Sequence, residues 1–169
     1  MLIGVISDTH DVLSYVEKAS KIFNDVNVEF IIHLGDYIAP FTLRLLASKV
    51  NARIIGILGN NDGEKLGLLN IASNYNVDLV EQPRSLDLAG RRLLLVHGFG
   101  SPQDTRELVY ALAESRRWDA ILYGHTHEPD ISYKRGTLIL NPGNAGGLLY
   151  KPSIALLDTD RMAARLIEL

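Results

Sequence analysis

Short apolar runs punctuate the chain at residues 2–6, 30–34, 54–58, 93–96 and 120–123. Each has the length of a buried strand. Between the first two, Val12, Val16, Ala19 and Phe23 recur at three- or four-residue spacing and predict one apolar helix face. A second helix is expected from Pro40 to about Lys49, with Leu43, Leu46 and Val50 turned inward and proline in the first turn. A weaker third helix covers roughly 66–75, followed by the short run 77–80. Strands that alternate with helices imply parallel pairing. Further on, 85–88 and 92–96 flank Ala89-Gly90 and read as a hairpin. A helix over about 105–116 takes Asp104 as N-cap and Glu107 as its partner three residues on. The tail changes to antiparallel patterning: 131–133 with 138–140, and 154–157 with 164–167, each surrounding a turn. The expected fold class is α/β, two sheets packed face to face with helices outside, in one domain spanning 1–169.

Composition narrows the chemistry. The chain has 169 residues, 47% hydrophobic and 22% charged, which suits a globular domain able to bury its own core. No apolar stretch is long enough to span a bilayer, and the strand-like start lacks the marks of a signal peptide, so a cytoplasmic protein is expected. A net charge of -3 argues against a surface for nucleic-acid polymers, which needs clustered Lys and Arg. The absence of cysteine excludes thiolate zinc sites, iron-sulfur clusters and cysteine nucleophiles. Carboxylate, amide and imidazole remain as strong ligands.

Those ligand types follow the apolar runs. Asp8 and His10 come after 2–6, Asp36 after 30–34, Asn60 after 54–58, His97 after 93–96, and His125 and His127 after 120–123. In an open α/β sheet, ligands gather beyond the carboxyl ends of the strands. Asp8 and His10, two apart, are expected to point to one side as strand residues do; the alternative makes Asp8 a helix cap and His10 a surface residue. Asp36 is the expected bridging ligand, because a carboxylate has two oxygens to share between cations. Asn60 offers a neutral amide oxygen, although Gly-Asn after a strand also marks a turn. His125 and His127, in alternation, suit two neighbouring ions better than one. His33, inside its strand, reads as a core residue or one that orients a ligand through its ring nitrogen. With Asp36 shared, the seven residues supply three or four ligands to each of two ions and leave positions open. Two ions roughly 3.5–4 Å apart hold a bridging hydroxide and clamp phosphoryl oxygens, so phosphoester hydrolysis is the expected chemistry.

The order Asp8-x-His10, Gly35-Asp36, Gly59-Asn60, His97-Gly98 and Gly124-His125-x-His127 resembles the calcineurin-like metallophosphoesterase superfamily. Together with the opening residues 3–10 and the late Asn141-Pro142-Gly143, it is similar to the small bacterial and archaeal phosphodiesterase branch that also contains the eukaryotic retromer scaffold subunit. The resemblance implies a four-layer αββα sandwich of two mixed sheets flanked by helices. It also implies two divalent metal ions, one held by Asp8, His10, Asp36 and His127 and the other by Asp36, Asn60, His97 and His125. Manganese is the implied metal, with Ni, Co, Fe or Zn as the other candidates. The catalytic set is His10 and Asn61, and Asn61 is a departure: many relatives carry His there to protonate the leaving oxygen. The substrate expected is a small phosphodiester with a good leaving group. Gly98, Phe99 and Gly100 make a loop that admits substrate, and the apolar stretch 148–150 suggests a homodimer contact or, alternatively, a solvent-facing hairpin. The rival function is a catalytically weak metal-binding scaffold for protein partners, like the retromer subunit. The intact set of seven residues speaks against it, because that subunit has substitutions in the set.

Overall fold

Along the first strand, β1 (Leu2–Ile6), Ile3 and Val5 face one way and Ile6 the other, and all three are fully buried. A strand buried on both faces must lie inside a layered structure. In the computed structural model, which describes residues 1–169, β1 is an inner strand of a six-stranded sheet. Its neighbours are β2 (Phe30–His33), β3 (Arg53–Ile57) and β4 (Asp78–Val80) on one side, all parallel. On the other side the last two strands, β10 (Ser153–Asp158) and β11 (Ala163–Glu168), run antiparallel, giving the order β11-β10-β1-β2-β3-β4. The second sheet has five strands, β5 (Arg84–Leu88), β6 (Arg91–Val96), β7 (Ala120–Tyr123), β8 (Asp130–Lys134) and β9 (Thr137–Asn141), in the order β5-β6-β7-β9-β8.

Three apolar layers join these parts. Between the sheets, Ile3, Val5, Ile32 and Ile55 meet Leu93, Leu95, Leu122 and Leu140. Helices α1 (Leu13–Asp25), α2 (Pro40–Lys49) and α3 (Lys65–Asn74) cover the outer face of the larger sheet with Phe23, Leu43, Leu46 and Leu68 against Ile6, Ile31 and Ile54. Helix α4 (Pro102–Glu114) covers the smaller sheet with Val109 and Ala113 against Val96, Ile121 and Ile139. The result is the expected four-layer αββα sandwich of mixed sheets. Each fully buried aliphatic side chain contributes about 1.5–3 kcal/mol, so the sheet interface is a principal source of stability. Gly4 shows how closely the layers approach: a Cβ there would lie 2.5 Å from the Phe23 ring.

Some expectations are corrected. Helix α4 starts at Pro102, three residues before the expected Thr105, because Ser101 is the N-cap and Asp104 its capping-box partner. Val12 ends the preceding loop as the N-cap position of α1, so the buried face of that helix is Val16, Ala19, Ser20 and Phe23. Residues 148–150 form neither strand of a hairpin; they are an exposed connection between β9 and β10. No helix is long and apolar enough to cross a membrane.

Candidate metal centre

The carboxyl ends of β1, β2 and β3 in one sheet and of β6 and β7 in the other open into a common crevice, where His125 N–H donates to Asp8 at 3.1 Å. The loops do not continue the strands. Asp8, His10, Asp36, His125 and His127 all have left-handed backbones, with φ of 53°, 44°, 58°, 66° and 61°. Asp8 and His10 therefore converge through a kinked loop, and the strand alternation expected for them is overturned. Non-glycine residues enter this region at a cost of roughly 1–2 kcal/mol each, which the surrounding contacts must offset. Glycine permits the loops to touch: a Cβ on Gly59 would sit 2.2 Å from Asp36 Oδ1.

Two groups of donors lie side by side. In the first, His10 Nε2 and His127 Nε2 are 3.3 Å apart, and Asp8 Oδ1 is 3.3 Å from His127 Nε2 and 3.9 Å from His10 Nε2. In the second, Asn60 Oδ1 lies 2.9 Å from His97 Nε2 and 2.8 Å from His125 Nδ1. Asp36 connects them, with Oδ2 3.6 Å from His10 Nε2 and Oδ1 3.4 Å from His97 Nε2. All seven sequence-derived ligand candidates are thus brought together.

The arrangement fits cations. Asp8 Oδ2 accepts from the Ser7 hydroxyl and the His125 N–H, while Asp8 Oδ1 is buried with no hydrogen-bond partner and faces the imidazoles. An orphaned buried carboxylate oxygen is costly unless a cation satisfies it. The distal ring nitrogens are also committed: His97 Nδ1 donates to Leu34 O at 2.7 Å and His125 Nε2 to Gly100 O at 2.9 Å. In the neutral rings the opposite nitrogen, the one toward Asn60, keeps the lone pair, and a bound cation would displace the proton that Asp36 and Asp8 otherwise favour on His97. Oxygen and imidazole donors of this kind suit divalent Mn, Fe, Co, Ni or Zn.

The charges of the side chains reinforce one another. Burial alone would raise the Asp36 pKa, but the His97 ring and the Asn61 N–H and amide hold it well below the usual carboxylate range. Burial pushes His97 down, yet Asp36 and Asp8 overcome this and hold it up at about 9. His127 is raised, chiefly by Asp8, whereas His10 is lowered because burial outweighs both carboxylates.

Other residues hold the loops. Asp62, buried, accepts the N–H groups of Gly59 at 2.7 Å, Ile38 at 2.9 Å and Asp36 at 3.0 Å, tying two ligand-bearing loops together. Gln82 Oε1 accepts from His97 N–H and Gly98 N–H. Neither was anticipated. An Asp three residues after Gly59 in a turn is a recognisable backbone acceptor, whereas Gln82 gives no local signal. Asn61 donates through Nδ2 to Asp36 Oδ2 at 2.7 Å and through its backbone to Oδ1 at 2.9 Å. His33 is fully buried, accepts Gly35 N–H at Nδ1 and contacts Thr9 Oγ1 through Nε2 at 3.3 Å. It is a core residue that braces backbone and stacks on Tyr37, and its hydrogen bonds go to Gly35 and Thr9 rather than to a ligand side chain.

A crevice of buried carboxylates and imidazoles at the strand ends of an αββα sandwich defines the class of metal-dependent phosphoester hydrolases. The calcineurin-like phosphoesterase superfamily domain matches residues 1–162, and the chain belongs to that superfamily. It is 36% identical over 171 residues to a phosphodiesterase of Methanocaldococcus jannaschii, covering 100% of this chain and 99% of the relative. A solved archaeal phosphodiesterase superposes with a TM-score of 0.90 at 35% identity over 100% of both chains. Vps29 from Entamoeba histolytica superposes with a TM-score of 0.73 at 18% identity, over 100% of this chain and 99% of its own, and shares the fold. The family membership and the two phosphodiesterase matches support the expectation of a metal-dependent phosphodiesterase.

Proposed function

We propose that the chain hydrolyses small phosphodiesters with a pair of divalent cations, manganese first among them. Asp8, His10, Asp36 and His127 hold one cation, and Asp36, Asn60, His97 and His125 hold the other. The observation that carries this is the split Asp36 carboxylate, one oxygen toward His10 and one toward His97, beside the unpartnered Asp8 Oδ1. When bound, such a cation pair would make water a better nucleophile at neutral pH and would offset negative charge on the phosphoryl group.

The protein's own part is positioning. Asp62 fixes the Asp36 and Asn60 loops, and the Leu34 and Gly100 carbonyls set the tautomers of His97 and His125. Asn61 holds the shared carboxylate in place. It has no proton to give to a leaving oxygen, so departure depends on the stability of the leaving group as an anion.

The test is to strip the protein with chelator and titrate it with Mn²⁺ while following bis(4-nitrophenyl) phosphate hydrolysis. Activity should appear and saturate at two equivalents, and His97→Ala should reduce the tight sites from two to one. Two bound equivalents with hydrolysis no faster than background would favour the scaffold function instead.

A further inference from the structure

The second donor group draws on both sheets. Asn60 follows β3 of the larger sheet, whereas His97 and His125 follow β6 and β7 of the smaller, so something must fix the separation of these strand ends. Residues 81–83 are placed to do so, because they cross from β4 in the larger sheet to β5 in the smaller. Just before the crossing, Val80 O accepts Leu58 N–H at 3.0 Å, two residues ahead of Asn60. Within it, Gln82 reaches the His97 loop. Its Oε1 accepts His97 N–H at 2.8 Å and Gly98 N–H at 3.0 Å, and its Nε2 donates to Gly98 O at 3.0 Å. β5 pairs with β6 only as far as Arg84 opposite Leu95, and the Gln82 amide takes the place of the partner strand beyond that point.

The same loop is held from its other end. Thr105 of α4, fully buried, accepts Phe99 N–H at 3.0 Å and donates to Phe99 O at 2.8 Å. Gly98, with φ of 132°, lets the loop pack closely: a Cβ there would lie 2.8 Å from His125 Cβ and from Thr105 Oγ1. The clasped loop then serves the next donor twice, since His97 O accepts Gly124 N–H at 3.2 Å and Gly100 O accepts His125 Nε2 at 2.9 Å. The first donor group is held by other parts of the chain. Asp8 N–H goes to Gly35 O, His10 N–H to Asp36 O and Gly146 N–H to Asp8 O, while Thr126, beside His127, accepts from Asn141 Nδ2.

Resting on the two-cation function above, we infer that Gln82 and Thr105 are positioning residues for the cation of Asn60, His97 and His125, and not for the other. Both act through the backbone of residues 97–99, which sets two imidazoles against the Asn60 amide. An apolar side chain at 82 would leave two N–H groups and a carbonyl without partners, and the loop would give up this geometry to satisfy them with water.

Calorimetric titration of chelator-stripped proteins with Mn²⁺ tests this. Wild type should bind two equivalents. Gln82→Met and Thr105→Val should each weaken one of the two by about 10- to 100-fold and leave the other unchanged. Thr105→Ser, which keeps the hydroxyl, should retain both, as should Phe23→Leu, a destabilising core change beneath the other sheet. On bis(4-nitrophenyl) phosphate, the two weakened variants should need more Mn²⁺ for half-maximal rate by the same factor. Weakening of both sites alike, or of neither, in either variant overturns the inference and leaves the two-cation function standing. Should Gln82→Met not fold, Thr105→Val, close to threonine in shape, decides alone. Fewer than two equivalents in wild type overturns both, whereas two equivalents without hydrolysis sinks the phosphodiesterase function and leaves the clasp.

Discussion

Asp62 illustrates how a residue outside the donor set governs it. Its carboxylate satisfies three buried N–H groups from two loops, and burial raises its pKa against those hydrogen bonds. Asp62→Ala should therefore cost about 2–4 kcal/mol in denaturant unfolding and weaken metal binding by about 10- to 100-fold. Stability lost with unchanged metal affinity would contradict this role. Asn61 bears on turnover. General acid catalysis is commonly worth about 100- to 10,000-fold, so an alkyl leaving group should be cleaved far more slowly than 4-nitrophenolate by the native protein. Asn61→His should narrow that gap, as steady-state rates on the two esters will show. His33 bears on pH. Burial lowers it from the usual 6.5 to about 3, so between those values the unfolded chain binds a proton that the folded protein refuses. Its contribution is complete above pH 6.5 and falls as pH drops toward 3, by up to about 1.4 kcal/mol per unit. Urea melts at pH 7, 5.5 and 4.5 should show a shallower acid loss for His33→Gln; an identical slope would remove His33 from the account.

At the scale of elements, the legible parts were those set by local pattern. The buried runs of β1, β3 and β7 announce themselves because both faces are covered, and the ligand residues stand out because they follow those runs. What local pattern does not encode is the left-handed backbone at Asp8, Asp36 and His127, a consequence of loops packed against other loops. The start of α4 was legible in principle: Ser101-Pro102 with Asp104 is a strong start signal, displaced in the sequence analysis by Asp104 itself. The hairpin between β5 and β6 was read correctly, and its turn places Ala89 at φ 54° and Gly90 at φ 71°. Ala89 is exposed and ill suited to that conformation. Ala89→Asn should raise unfolding stability by a few tenths to about 1 kcal/mol, and a thermal melt that falls instead would show that the turn tolerates alanine better than asparagine.

For the whole molecule, the sheet order carries a consequence for how the chain acquires its centre. β1 lies between β2 and β10, and the segment before β10 holds the Asp8 loop through Gly146 and Ala145. During synthesis the earliest donors, Asp8 and His10, therefore wait beside an unpaired edge until residues 145–158 have emerged. A nascent chain halted before residue 145 would leave one edge of β1 unpaired, a template for aggregation, and would hold the proposed cations poorly because the Asp8 loop lacks its partners Ala145 and Gly146.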